Sequence, residues 1–159
     1  MTFTYMDIHE REIMFKFLHN IITTKTRLYQ IKRTDSPLCE ICHVNEDTKH
    51  MFSECIKVKL LSDYFKNLLR NICGIEGINI FKALHLDFKV QSKKVTNTAV
   101  ILTTSYISTV WFNRASNAQI QPSLYQTSIL RHKTMLSMIL NKKMSEIFSN
   151  KYCNIKRRL

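Results

Sequence analysis

Four residues of soft or borderline ligand chemistry, Cys39, Cys42, His50 and Cys55, fall in two pairs inside the stretch SPLCEICHVNEDTKHMFSEC, residues 36–55. Three sulfurs and one imidazole are a donor set that zinc favours in tetrahedral geometry. A gap of two residues lets a tight turn aim both thiolates of Cys39 and Cys42 at one point. The seven residues between the pairs let the chain reverse, and polar Asn45, Glu46 and Asp47 suit that reversal. With all four positions supplied by protein, no site remains for water or substrate, so the expected metal is one structural Zn2+. The competing reading is of four unrelated residues, two buried as small hydrophobes and two exposed. Three thiolates around a dication leave a local charge of −1, which Lys49, Lys57 or backbone N–H groups could offset. Metal binding of this kind contributes roughly 10–16 kcal/mol to the folding of zinc-finger peptides. His43 is a possible substitute ligand, but its place beside Cys42 would strain the turn. Cys73 and Cys153 read as free thiols, packed or partly exposed.

The elements that must hold this cluster read as helices. Asp7 with Glu10 has the form of a capping box, and Ile8, Phe15, Leu18 and Ile22 follow at helical spacing, predicting a first helix over 7–22. Thr24 can cap a short helix through Gln30. From Asp47 onward, Phe52, Leu61, Phe65, Leu68 and Ile72 predict one long amphipathic helix that leaves the cluster directly and stops near Gly74. Residues five apart on a regular helix lie about 140° from each other at about 3.6 residues per turn, so His50 and Cys55 require irregular geometry around Ser53. Residues 78–88 hold a short apolar element of open type. Val95, Ala99, Leu102, Tyr106 and Val110 predict another helix, although their threonine and valine neighbours also suit a strand. Pro122 begins a last helix expected to reach about Asn150, followed by a basic tail.

Two glycines and two prolines in 159 residues are too few to punctuate many strands, and 45% apolar residues suffice for a core. The expected class is therefore mainly α: a helical domain with a small zinc-nucleated Cys-Cys-His-Cys knuckle leading into a long helix. Residues 1–75 form the first helix and the zinc-binding part, 76–94 a connector, and 95–159 a basic helical part that can pack as one domain with the first. Met1 to Asp7 has no basic or apolar signal region, and the longest weakly polar run, 99–112, is too short to span a bilayer. A reducing, intracellular compartment is expected, with no membrane partner, which favours thiols and metal ligands over disulfides. Charge is uneven. Seven cations balance seven acids over residues 1–50, eight face four over 51–100, and nine face the single Glu146 over 101–159. A gradient of this kind suits a surface that meets a polyanion, and solvated lysine-rich helices produce the same count.

The words around the ligands are more specific than their spacing. FKFLHNIITTKTRLYQI, then CEIC, EDTKHMFSEC and LLSDYFKNLL, together resemble the zinc-binding domain that follows the polymerase in reverse transcriptases of non-LTR, LINE-type retrotransposons. By this resemblance Cys39, Cys42, His50 and Cys55 match the metal ligands, and Glu46, Asp47, Thr48 and Phe52 match flanking positions. The likeness covers residues 15–69, and YISTVWFNR is similar to the family's later helix with its Trp and Arg. The retroviral nucleocapsid knuckle differs, with a middle gap of four residues and glycines within it. No paired-aspartate polymerase motif and no endonuclease motif is present, so the resemblance implies a stand-alone fragment without polymerase activity.

Three function classes follow. The leading expectation is a non-catalytic, zinc-stabilised module that binds RNA or DNA, with a nuclear location favoured over a cytoplasmic one. Its phosphate contacts are expected at Arg114, Arg131, Lys133, Lys142, Lys143, Lys151, Lys156, Arg157 and Arg158, with Trp111 or Tyr152 stacking on bases. Against this, each lysine taken singly is more simply a solvated charge, and Trp111 more simply core. The alternative is a zinc-dependent protein-interaction module, recruited from or left over from a retrotransposon. An enzyme is not expected: no nucleophile–base cluster, phosphate loop or open metal site can be read.

Overall fold

The computed structural model describes residues 6–87 and 92–132. Among the described residues six α-helices carry the fold: α1 Ile8–Leu18, α2 Lys25–Gln30, α3 Lys59–Cys73, α4 Ile80–Leu84, α5 Lys93–Phe112 and α6 Pro122–Arg131. Between α2 and α3 lie a loop, a π-helical turn at His50–Glu54 and a 3-10 turn at Ile56–Val58. No strand occurs among the described residues; one isolated antiparallel bridge pairs Leu38 with Asn45. The mainly helical class with a Cys-Cys-His-Cys cluster ahead of a long helix is thus what the chain adopts.

Local chemistry sets the helix starts. The Asp7 carboxylate accepts from the Glu10 amide at 2.8 Å, and the Glu10 carboxylate accepts from the Asp7 amide at 3.3 Å, closing the capping box reciprocally. Thr24 caps α2 through the Arg27 amide, and Asn79 caps α4 through the Phe81 amide, so the apolar element of open type is a short helix. Gly74 ends α3 in the left-handed region at φ 64°, which a glycine enters without Cβ strain.

Two helix expectations need correction. α1 stops at Leu18 rather than continuing to Ile22, because Asn20 turns into the left-handed region at φ 51°. The long helix from Asp47 is interrupted: Cys55 is extended, at φ −62° and ψ 136°, and α3 begins only at Lys59. An unbroken helix would carry the Cys55 sulfur about 140° away from His50, and the break returns it. The expected extension of the last helix to Asn150 lies outside the described residues.

α5 is the axis of the molecule. From Thr98 to Val110 every residue except Val100 is buried, with α1, α3 and α6 against it. Its small and β-branched residues let neighbours come close. Several of its hydroxyls bond back to the preceding turn, Thr104 to the Val100 carbonyl at 2.9 Å and Thr109 to the Ser105 carbonyl at 2.7 Å, which makes threonine tolerable in a buried helix. One apolar cluster runs from Ile13 on α1 to Ile129 on α6 and includes Cys39, Met51, Phe52 and Cys55. The loop that carries the ligands is therefore part of the core. At the far end, the buried Glu10 carboxylate meets the buried His132 ring, Nε2 to Oε1 3.1 Å, joining α1 to the end of α6. No helix among the described residues is long and apolar enough to cross a membrane.

Candidate metal centre

Residues 37–46 form a small closed loop. The Cys39 amide donates to the Val44 carbonyl at 2.8 Å, the His43 amide to the Cys39 carbonyl at 2.9 Å and the Glu46 amide to the Pro37 carbonyl at 2.9 Å. This wraps the backbone around Cys39 and Cys42 and forces His43, at the corner, into the left-handed region at φ 55°. His43 itself is exposed and stands apart from the cluster.

The second ligand pair sits on the π turn. The Cys55 amide donates to the His50 carbonyl at 2.8 Å, an i→i+5 bond that places residues five apart one above the other. This is the irregular geometry that the spacing demands. The turn is anchored by buried Met51 and by Phe52, whose ring packs edge-on against Phe17 at 5.0 Å. Widening the turn frees the Phe52 carbonyl from the usual ladder. The buried Tyr106 hydroxyl donates to it at 2.8 Å and is itself 3.0 Å from the Ser62 hydroxyl.

Three residues just ahead of His50 each have a definite task. Glu46 ties the loop to α2: its carboxylate accepts from the Lys25 amide at 3.3 Å and its carbonyl from the Thr26 amide at 3.2 Å. Asp47 accepts the His50 amide at 2.7 Å and so closes the first turn beneath the imidazole. Thr48, buried, donates to the Asn20 side chain at 2.8 Å, fastening that turn to the end of α1.

Folding thus brings together the four residues singled out by spacing. One ligand atom from each of Cys39, Cys42, His50 and Cys55 lies within 4.8 Å of the others, and the group could hold a metal ion. The Cys55 sulfur is 3.8 Å from that of Cys39 and 3.7 Å from that of Cys42. These are not disulfides, whose sulfurs bond at about 2.05 Å. They match the edge of a tetrahedron: metal–sulfur bonds of about 2.3 Å put two sulfurs about 3.8 Å apart. The donor atoms also fit a metal in a second respect. His50 Nε2 is buried and has no hydrogen-bond partner, an arrangement that is costly in a polar atom unless something else occupies it.

The electrostatics of the thiols are uneven. Burial alone would raise the Cys39 thiol, but N–H groups of Cys42 and Ile41, with the His50 ring and the Cys55 thiol, bring it down to about 7. Burial pushes Cys55 up to about 12, against the Lys57 amide and with the Cys42 and Cys39 sulfurs adding to the rise. A dication reverses that balance, because a coordinating thiol is deprotonated outright. The lysines named as counter-charges are engaged elsewhere: Lys49 pairs with Glu54 at 2.5 Å, and Lys57 donates to the Arg114 carbonyl at 2.9 Å. Backbone amides of Ile41, Cys42 and Lys57 are the groups that face the sulfurs.

The remaining candidates are not gathered into one site. Arg114 is exposed beyond the end of α5, its guanidinium 3.6 Å over the half-buried Trp111 ring, and Trp111 packs against the core. Arg131 is the exposed last residue of α6. Lys133, Lys142, Lys143, Lys151, Lys156, Arg157 and Arg158 lie outside the described residues, as do Tyr152 and Cys153. Cys73 is a half-buried free thiol, pushed up to about 12 by burial. Sequence reasoning missed Tyr106 and Asn20. Tyr106 carries no signal, since its helical spacing marks it simply as core; Asn20 is a residue type enriched at left-handed positions.

Compared with known proteins, the chain matches no family model, no curated protein sequence and no solved structure.

Proposed function

We propose that the protein is a non-catalytic, zinc-stabilised module that binds nucleic acid, of the kind found on the C-terminal side of LINE-type reverse transcriptases. The observation that carries the metal reading is the tetrahedral sulfur spacing beside the unpartnered His50 Nε2. Zinc is favoured over other cations because three thiolates and one imidazole are soft to borderline donors and all four positions are filled. A closed shell of this kind supports folding rather than chemistry. The reading draws support from flanking positions of the resemblance: Glu46 ties the ligand loop to α2, and Asp47 and Thr48 fix the turn that presents His50.

Nucleic acid as partner rests on the net charge of +12 and on its concentration in residues 101–159. Numerous weak phosphate contacts are the expected mode. Four or five contacts give a log–log salt slope of roughly −3 to −4, at about 0.9 per contact on duplex DNA and about 0.7 on single strands. The protein-interaction alternative draws on Leu38 and Val44, exposed side chains on the two arms of the ligand loop. Its affinity would change little with salt.

Two measurements test this reading. Metal analysis of the purified chain is expected to give one zinc, lost in Cys39→Ser and Cys55→Ser and retained in Cys73→Ser; a well-folded, metal-free wild type refutes it. Binding titrations at several salt concentrations are expected to show the steep slope, flattened by one to two units when Lys142 and Lys143 are both changed to Glu, with zinc retained. A salt-independent affinity, or none for RNA and DNA in single- and double-stranded form, favours the protein partner.

A further inference from the structure

A cleft of about 700 Å³ opens between the end of α1, α2, the turn 47–49 and α4. That volume lies within the roughly 300–1,000 Å³ of small-molecule sites. Its lining includes the half-exposed rings of Phe81 and His85, held 4.4 Å apart at 62° to each other. His85 Nδ1 bonds the Phe81 carbonyl at 2.9 Å, and Phe17 backs the His85 ring at 4.8 Å, so these flat surfaces are fixed in place. Exposed Arg27 and Gln30 line it from α2 and exposed Lys49 from the turn 47–49. Arg27 makes no ion pair among the described residues; its guanidinium donates to the Asn20 carbonyl at 3.2 Å. The one acid on the lining, Asp47, is occupied by the His50 amide.

Fixed aromatic faces, an amide for a base edge and a cation for a phosphate are together what an unstacked nucleotide needs. A duplex, whose bases are already stacked and paired, cannot present one. A second cleft of about 300 Å³ beside Cys39 also holds cations, Lys25, Lys57 and Arg114. It does not suit an anion: Lys25 is paired with Glu40 at 2.6 Å, Lys57 is bound to a carbonyl, and Glu40 and Glu46 both line the wall.

We infer that the cleft between α2 and α4 seats an unpaired nucleotide, with the base on Phe81 and His85 and its phosphate at Arg27. The inference rests on the nucleic-acid reading and narrows it to single strands. It also couples binding to the metal, because Asp47, Thr48 and Lys49 form one wall and His50 is the next residue. No metal ligand enters the cleft, yet loss of the metal frees the wall.

The test is fluorescence anisotropy of the zinc-loaded full chain with a short labelled single strand of mixed sequence, as RNA and as DNA, against its duplex. The wild type is expected to bind single strands more tightly than duplex. Arg27→Ala should weaken single-strand binding about fivefold, and His85→Ala about tenfold, with zinc content unchanged; chelating the zinc should weaken it as well. Loss with either RNA or DNA supports the inference. Because His85 touches the core, Arg27→Ala, on an exposed side chain, is the deciding variant. Wild-type affinity in Arg27→Ala, alongside weakened binding on charge reversal at Lys142 and Lys143, overturns the cleft and leaves the nucleic-acid reading standing. No binding of any nucleic acid by the wild type overturns both.

Discussion

His43 occupies a conformation that suits another residue. At φ 55° an L-residue crowds its Cβ against the backbone at a cost of roughly 1–2 kcal/mol, whereas glycine enters the region freely. Glycine in turn gives the unfolded chain more freedom, which takes back about 0.5–1 kcal/mol. His43→Gly is therefore expected to stabilise the protein by roughly 0.5–1 kcal/mol with zinc retained, read by urea denaturation and metal analysis. His43→Val should do the reverse, because a β-branched side chain at positive φ is more crowded still. The same corner shows what spacing alone can tell: two cysteines and two intervening residues announce a tight turn. Only the fold shows that the turn's left-handed corner falls on the histidine that had been weighed as a ligand.

The π turn and the break at Cys55 are the elements that turn a helical segment into a ligand pair. Tyr106 is their support from the core, since its hydroxyl satisfies the Phe52 carbonyl that the wide turn releases. Removing that hydroxyl in Tyr106→Phe leaves a buried acceptor unpaired at a cost of about 1–3 kcal/mol. It is also expected to lower zinc affinity by about tenfold or more, in line with losses at other groups that orient ligands. Competition with a chromophoric chelator measures this; an unchanged affinity would show that the turn holds itself. Much of the surrounding architecture was legible. The caps at Asp7 and Thr24 act on amides three residues away, so both could be read from adjacent letters. The break at Cys55 left no local breaker to read; only the ligand spacing, which requires irregular geometry around Ser53, pointed to it. Ile56 to Val58 contains no proline or glycine, and what bends the chain there is closure on Cys39 and Cys42, sixteen and thirteen residues back. Long-range demands of this sort leave no periodic trace. α5 was readable as a helix from its spacing, but not as the buried axis, because its threonines and serines look like a solvated face until four other helices are placed around them.

At the scale of the molecule, the ends of the described fold are fastened by one polar contact. Glu10 is buried, with one carboxylate oxygen on the Asp7 amide and the other on His132. Glu10→Ala strips both and leaves the His132 ring without that acceptor, and is expected to destabilise by about 3 kcal/mol in chemical denaturation. Glu12→Ala, two residues along α1 and exposed in its pairing with Lys16, should leave the stability nearly unchanged. Equal effects would mean that the buried contact adds nothing. The contact also orders events on the ribosome, where synthesis runs from the N-terminus at about 5–20 residues per second. The four candidate ligands are all made by residue 55 and can meet once that stretch has left the exit tunnel. Glu10 must wait for a partner 122 positions downstream. For several seconds the nascent chain thus carries all four candidate ligands without Tyr106 to support their turn, and with the α1 face that α5 will cover open to chaperones.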